Sequence, residues 1–307
     1  MHLTAADLAR SSDGSWWVTG HRTRAPSGLG YALENRIVSS RVLQKIIHQN
    51  NLPRLASFFA RLQEHVASAA HQLRDNPRVG ILTPGQSSYR YFEDVFLARY
   101  LGYTLVHGRD LAVRRNRLHL KTLGGLLPIE VLWRNVTDDQ CDPLELDPTS
   151  TQGVTGMLQV IRGGNLSVLN EIGSVLAEMP ALTPFLPASA KVLFGEKLIL
   201  PSIASYWCGG DRERGFVLDN LDRLLIRPAF FITGADPVDP QRLSQAGRAE
   251  LVSQINSNPQ QYIAQERPSR STSPVWIEGR LRSWHVALRT FHLQTAEDVH
   301  VMPGGLV

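Results

Sequence analysis

Hydrophobic and polar positions alternate along this chain in several registers, and each register predicts a different kind of element. From residue 38 to about 74 the apolar residues recur at helical spacing. Val42, Ile46 and Ile47 mark one helix, and Leu55, Phe58, Phe59, Leu62, Val66 and Ala69 mark a second. Pro53 stands where the second begins, a position at which its missing N–H costs nothing. Residues 79–82 read instead as a buried parallel strand, 103–106 as the next strand and 129–134 as a further one. A helix over 92–100, closed by Gly102, joins the first two into a βαβ unit and so predicts a parallel, three-layer region.

The remaining pattern is shorter in wavelength. Asp13-Gly14 is a hairpin turn, the aromatic and β-branched run 15–19 after it is a strand, and residues 1–36 read as a β-rich opening. Residues 111–121 form a hairpin around Arg115-Asn116. A helix spans 153–161 and ends at Gly163-Gly164, a strand covers 166–170, and 172–194 is helical but broken by Pro180, Pro184 and Pro187. Residues 205–209 precede a helix running to Leu221. Leu224-Leu225-Ile226-Arg227-Pro228 is then a buried strand that carries a cation to its end, and Tyr262-Ile263-Ala264-Gln265-Glu266 is a short strand ending in an amide and a carboxylate.

These ends carry the candidate chemistry. A cation such as Arg227 suits phosphates, and a strand-end Gln265-Glu266 pair suits adenine and ribose, although solvated strand ends account for either half alone. The loop from Arg22 to Tyr31 sets Gly28 and Gly30 beside basic residues; it reads either as a surface turn or as a backbone nest for an anion. The loop Thr83-Pro84-Gly85-Gln86-Ser87-Ser88 follows a strand at the end where open α/β sheets bind ligands, but it lacks GxGxxG. Arg134 with Asp138, Asp139 and Asp142 follows another strand; such a loop holds a carboxylate substrate or a metal, or is simply solvated. Patterns for P-loop, HExxH, GxSxG and EF-hand chemistry are missing from the sequence.

Composition narrows the classes further. A net charge of +4 and a pI near 9.3 suit anionic small molecules, and the basic residues are scattered, which argues against nucleic acid. Two cysteines, Cys141 and Cys208, make neither a disulfide framework nor a zinc site, and a reducing, cytoplasmic setting is expected. No apolar run approaches the ~18 residues of a membrane span, and no signal peptide is visible.

Taken in order, many stretches resemble the circularly permuted ATP-grasp family of bacterial proteins. They include Asp7-Leu8-Ala9-Arg10 with Asp13-Gly14, and Ala25-Pro26-Ser27-Gly28 with Tyr31-Ala32-Leu33-Glu34-Asn35-Arg36. Arg134 with Cys141-Asp142-Pro143-Leu144-Glu145 and Arg162-Gly164-Asn165 with Asn170-Gly173-Ser174 come next. Leu200-Pro201-Ser202, Trp207-Cys208-Gly209, Ile226-Arg227-Pro228-Ala229-Phe230, Gln265-Glu266 and Met302-Pro303-Gly304-Gly305-Leu306 complete the set. The family pattern runs past both ends, so the chain is expected to be an internal portion of a longer protein, with its C-terminus cut within a strand-turn-strand.

The resemblance implies a mixed α+β and α/β fold, a permuted ATP-grasp with a Rossmann-like substrate domain. It divides the chain into an ATP-grasp part over 1–75, a Rossmann-like domain over 76–146, and the remaining ATP-grasp subdomain over 147–307. Active relatives are similar to carboxylate–amine ligases such as glutathionylspermidine synthase, which use ATP and Mg²⁺ and pass through an acyl-phosphate. The implied substrates are a small-molecule carboxylate and an amine or peptide. Carried over by position, Arg10 and Arg134 are catalytic, Asp7 is a metal ligand, and Ser27, Gly28, Arg227, Gln265 and Glu266 bind nucleotide. Three positions depart from the pattern. Arg227 replaces a phosphate-binding Lys, and Gly20 and Arg22 stand where active relatives carry Glu and Asn as Mg²⁺ ligands. The segment Phe231-Ile232-Thr233-Gly234-Ala235-Asp236 is also poor in glycine for a phosphate-covering loop. A module that binds nucleotide or a partner without turnover is the alternative these departures raise.

Overall fold

The computed structural model of the chain describes residues 1–70, 72–230, 236–267 and 270–307. In chain order its first elements are β1 (Leu3–Arg10), β2 (Trp16–Arg22), α1 (Leu29–Val42), α2 (Gln44–Gln49), α3 (Ala56–Ser68), β3 (Val79–Leu82), α4 (Tyr91–Leu101) and β4 (Thr104–Val106). There follow β5 (Leu111–Arg114), β6 (Arg117–Thr122), β7 (Gly125–Ile129), β8 (Val131–Arg134), α5 (Met157–Arg162), β9 (Ser167–Leu169), α6 (Leu186–Phe194) and β10 (Ser205–Trp207). The last are α7 (Asp211–Asp219), β11 (Leu224–Pro228), α8 (Gln245–Ser257), β12 (Tyr262–Glu266), β13 (Thr272–Ile277), β14 (Arg280–His285), β15 (Ala287–Gln294) and β16 (Val299–Leu306). They form two compact units, each assembled from separated segments. The first takes Met1–Ala5, Arg22–Ser174 and Arg289–Leu306; the second takes Ala6–His21, Val175–Leu288 and Val307.

At the centre of the first unit is a parallel sheet in the order β4-β3-β8-β9. Its strands read as apolar runs because both faces are covered. Ile81, Val131, Trp133 and Leu169 pack on one side with Phe58, Phe59, Leu62 and Val66 of α3. Leu82, Leu132 and Val168 pack on the other with Leu111, Leu118, Met157 and Val160. Successive residues of a strand point to opposite faces, so each run supplies both cores. The βαβ unit is as the pattern predicts, with Gly102 closing α4 at φ +72°. The hairpin β5–β6 turns at Arg115 and Asn116, whose φ values of 49° and 54° match the paired left-handed conformation of a two-residue turn.

Three expectations needed correcting. The helix expected from residue 38 starts at Leu29, where Gly28 enters at φ +106°. Its buried stripe is Leu29, Ala32 and Leu33, and the chain turns at Leu43 before α2. Val42 is 74% and Ile46 51% exposed, so their spacing marks no core face. The single strand expected over 129–134 is two: β7 belongs to an antiparallel sheet with β5 and β6, and β8 to the parallel one. Glu130 stands at the break and accepts the Arg78 N–H at 2.7 Å. Residues 205–207, which the pattern did not mark, form strand β10.

The distant ends of the first unit are joined by one side chain. Asn170 is 3% exposed; its Oδ1 accepts from His2 N and Leu3 N at 2.7 and 2.9 Å, and its Nδ2 donates to Leu3 O and Thr23 O at 2.5 Å each. Beyond it, Gln294 N donates to His2 O at 2.8 Å, bringing β15 to the opening of β1.

In the second unit β10, β12 and β11 form an antiparallel sheet in that order. Leu224, Ile226 and Ala264 face a core with Val217 of α7 and Leu251 and Ile255 of α8. The α8 helix is capped by Ser244, whose Oγ accepts from Gly247 N at 3.2 Å. Ala6, Leu8 and Val18 make a smaller cluster with Leu288. No helix among the described residues is long and apolar enough to cross a membrane.

Replacing Asn170 by Ala removes the amide partner of four backbone groups, His2 N, Leu3 N, Leu3 O and Thr23 O. Asn170→Ala is expected to lower unfolding stability by roughly 2–5 kcal/mol in a urea titration, since each orphaned group costs ~1–3 kcal/mol and relaxation recovers part of it. A loss under about 0.5 kcal/mol is incompatible with this role.

Candidate functional site

The residues singled out from the sequence fall in both units. Asp7, Arg10, Arg227, Gln265 and Glu266 belong to the second; Ser27, Gly28 and Arg134 belong to the first.

Within the second unit, β11 and β12 run antiparallel in a register that sets Arg227 across from Ile263 and Leu225 across from Gln265. Arg227 and Gln265 are therefore diagonal neighbours on one face, and Arg227 Nη1 donates to Gln265 Oε1 at 3.2 Å. Trp207 of β10 lies across from Ile263 and joins the same face, with Nε1 donating to Gln260 O at 3.0 Å. This face is turned away from α7 and α8, and the 3-10 segment Pro180–Phe185 lies along it, Phe185 meeting the Trp207 ring edge-on at 6.2 Å. Gly209 is required beside Trp207, because a Cβ there would stand 2.3 Å from the indole. Glu266 alternates to the opposite face, where its carboxylate accepts from the Tyr206 hydroxyl at 3.2 Å. Strand alternation thus separates the Gln265-Glu266 pair, an outcome latent in its adjacency. Trp207 enters the sequence reading within a family stretch and without a site role; its cross-strand register is what brings it to this surface. Residues 231–235, most of the expected phosphate-covering loop, lie outside the described residues.

The N-terminal hairpin bears on the metal. Asp7 alternates with Ala6 and Leu8, which pack on Val18, so Asp7 and Gly20 occupy opposite faces. His21 shares the face of Asp7: burial lowers its pKa, while the charges of Asp7 and Glu178 raise it. Mg²⁺ demands several hard oxygen donors. Among the described residues no group of three or more His, Cys, Asp and Glu is placed to hold a metal ion. The residues around Asp7 therefore do not fit a Mg²⁺ site. Arg10, at the end of β1, is exposed and reaches Gly14 O at 3.5 Å.

In the first unit the glycine loop does hold an anion, and the chain supplies it. Gly28 N donates to Glu93 Oε1 and Oε2 at 2.8 and 3.0 Å, and Gly30 N to Oε1 at 2.9 Å; Glu93 is 1% exposed. Gly28 is obligatory, since a Cβ would lie 2.8 Å from Leu306 Cδ2 on a left-handed backbone. Ser27 receives Arg289, whose Nη1 lies 3.0 Å from its carbonyl oxygen. These donors and acceptors hold the loop in place.

Arg134 is likewise inward. Fully buried, it donates from Nε to Asn170 O at 2.8 Å, from Nη1 to Val136 O at 2.9 Å, and from Nη2 to Glu171 O and Ser174 Oγ at 2.9 and 3.3 Å. Asp138 Oδ1 sits 2.9 Å from Nη2 as an ion pair without hydrogen-bond alignment. Asp142, also fully buried, accepts from the N–H groups of Leu144, Gly156 and Leu158 at 2.9 to 3.0 Å. The expected substrate or metal loop is therefore a structural brace around a buried cation. Both thiols are inert for the same reason: burial pushes Cys141 up to about 12 and Cys208 up to about 11.

A polar group that the sequence did not single out lies at the carboxyl end of the parallel sheet. Asp94 of α4, fully buried, accepts from Asn135 Nδ2 at 2.6 Å and lies 3.9 Å from Arg90 Nε. Burial raises its pKa to about 6, against the pull of Arg90, Thr83 and Asn135.

Two consequences are measurable. Arg134→Met should lower stability by about 3–5 kcal/mol, because it strands Asp138 and several carbonyls; chemical denaturation reads the loss, and a change below about 1 kcal/mol would refute the brace. For Asp94 the folded pKa lies above the unfolded one. Its contribution to stability is thus fully present below pH 3.8 and is lost as pH rises through about 6, a total on the order of 3 kcal/mol. Denaturation of wild type and Asp94→Asn across pH 4 to 7 should diverge in that window; parallel curves would exclude the shift.

Comparison with known proteins places this geometry among relatives. The family described as circularly permuted ATP-grasp type 2 matches residues 1–307. An uncharacterised protein of Synechocystis, sll0335, is 32% identical over 305 residues, covering 99% of this chain and 63% of its own length. The uncharacterised protein Rv2411c of Mycobacterium tuberculosis is 32% identical over 306 residues, covering all of this chain and 56% of its own. The chain thus spans little more than half the length of these relatives. Among solved structures, the apo form of a glutathione synthetase-like effector from Globodera pallida superposes with a TM-score of 0.60 at 11% identity, over 99% of this chain and 71% of that one.

Proposed function

The chain belongs to the circularly permuted ATP-grasp family, and we propose that its second unit binds ATP on the β10-β12-β11 face in the service of carboxylate–amine ligation. The observation that carries the reading is the Arg227–Gln265 contact at 3.2 Å, on the sheet face that also bears Trp207. A guanidinium presents a planar fork to phosphate oxygens, an amide beside it can address a nucleobase edge, and an indole gives a ring to stack on. Glu266 alternates to the opposite face, so in this reading it meets a ribose hydroxyl only where the nucleotide passes the end of β12. Ser27, Gly28 and Arg134 act indirectly, by holding loops of the first unit. Arg10, exposed at the end of β1, is kept as a cation for the transferring phosphoryl group.

In a ligase of this class a carboxylate oxygen attacks the γ-phosphorus, the bond to ADP breaks, and an amine then displaces phosphate from the acyl-phosphate. Negative charge accumulates on the phosphoryl oxygens, so catalysis rests on positioned cations. Mg²⁺ commonly supplies part of that charge. The residues around Asp7 do not fit it, and no step here is assigned to it. That misfit favours a second reading, in which the same surface holds nucleotide without turnover.

Calorimetry of ATP binding with and without Mg²⁺, alongside a phosphate-release assay with candidate carboxylates and amines, separates the two. Arg227→Ala is expected to weaken ATP at least tenfold, about 1.4 kcal/mol, and Glu266→Ala by roughly 1–3 kcal/mol. Binding that is equal in the presence of EDTA, with no phosphate released, selects the second reading. Failure of ATP to bind at all sinks both.

A further inference from the structure

The parallel sheet of the first unit has a topological switch point that the nucleotide reading leaves unused. β4 follows β3 on one side, and β8 pairs with β3 on the other, so the connections diverge at the carboxyl ends of β3 and β8. Open α/β sheets bind ligands at such a crevice. Thr83 follows β3, Asn135 follows β8, and α4 begins there with Arg90 and Asp94. These side chains are 1%, 4%, 7% and 0% exposed for Thr83, Asn135, Arg90 and Asp94.

The cluster is incompletely satisfied. Asn135 Nδ2 reaches Asp94 Oδ1, and Arg90 Nη1 donates to Ala25 O at 2.5 Å, but Asp94 Oδ2, Asn135 Oδ1 and Arg90 Nε have no aligned partner. Buried polar atoms normally find one, and three orphans on neighbouring side chains are costly for a purely structural group. Two of the three are acceptors. The charge is also unbalanced: Asp94 has the guanidinium of Arg90 3.9 Å away and also feels the negative charge of Glu93, and Glu93 is held by the neutral amides of Gly28 and Gly30. One positive charge and hydrogen-bond donors are what the cluster lacks. A metal ion suits it poorly, because it would find only one free carboxylate oxygen and one amide oxygen where it needs several oxygen donors. An anion would meet two acceptors.

We propose that Asp94 and Asn135, at the carboxyl end of the parallel sheet, bind a primary ammonium group. Its N–H donors fill Asp94 Oδ2 and Asn135 Oδ1, and its charge offsets the second carboxylate. The proposal rests on the ligase reading only for its catalytic meaning, where the group is the amine substrate; binding itself stands apart from turnover. Charged and titratable groups facing Asp94 are Arg90 and Glu93 on its own helix, with the polar Thr83 and Asn135 opposite. Because protonated Asp94 is a poorer acceptor, ammonium binding should weaken as pH falls below about 6.

The test is amide NMR of the full chain titrated with ethylammonium chloride, with ethanol and tetramethylammonium chloride as controls for shape and for charge without N–H donors. Ethylammonium is expected to give saturable shifts at Thr83, Gly85, Asp94 and Asn135 that neither control produces. Asp94→Asn and, independently, Asn135→Leu should each weaken it at least tenfold with the far-ultraviolet spectrum unchanged. Equal shifts with tetramethylammonium, or no saturable response to ethylammonium at these residues, overturns the proposal. Should either variant fail to fold, the wild-type comparison among the three probes still decides. Ethylammonium binding at these residues without ATP-driven condensation of any amine keeps the subsite and rejects the ligase reading. ATP-dependent condensation with amine shifts mapping elsewhere does the reverse.

Discussion

The carboxamide of Asn170 makes four hydrogen bonds, to His2 N, Leu3 N, Leu3 O and Thr23 O, and its own carbonyl oxygen accepts from buried Arg134. Much of the first unit depends on this pair. Arg134 ends β8, Asn170 follows β9, and the chain's opening strand and the segment entering α1 are both tied to the amide. An Arg that is 0% exposed is tolerable only because carbonyls, a hydroxyl and Asp138 surround it. The same demand explains why an acidic loop follows β8. Asp138 answers the cation, and Asp142 gathers three backbone N–H groups, two of them, Gly156 and Leu158, at the start of α5.

Satisfaction of buried charge recurs as the organising constraint of the glycine loop. Gly28 and Gly30 present N–H groups to an anion, as their spacing invites, and Glu93 from α4 fills the position. A nest that reads as a ligand site is in this protein an internal latch between a loop and a helix. In the second unit the relation is different. Arg227 and Gln265 meet on the sheet face turned away from α7 and α8, along which the 3-10 segment Pro180–Phe185 lies.

How far the site was legible depends on the range of each interaction. The βαβ unit, the Arg115-Asn116 turn and the strands carrying Arg227 and Gln265 follow from local pattern, because periodicity and turn chemistry act over a few residues. The apolar spacing at Val42 and Ile46 misled because spacing records only the possibility of a buried face; nothing packs there. The chemical content of Arg134 and Gly28 was visible as charge and conformational freedom, but its recipient was not. Gly28 finds its partner 65 residues away, and Arg134 adds to its near partners Val136 and Asp138 the carbonyls 36 and 37 residues on, separations no local window spans.

The sequence by itself determined the family, through many short stretches in a set order, and with it the ATP-grasp fold. It also determined the oddities at Gly20, Arg22 and Arg227, since a missing carboxylate or amide can be read without coordinates. Only the tertiary structure decided which polar groups are spent and which are left over. Arg134, Glu93 and Asp142 are consumed by backbone partners, whereas Asp94 Oδ2, Asn135 Oδ1 and Arg90 Nε, on neighbouring side chains, are left unsatisfied. The reason is physical: a hydrogen bond is fixed within a few tenths of an ångström and a few tens of degrees, and that precision arises only when strands far apart in the chain are packed side by side.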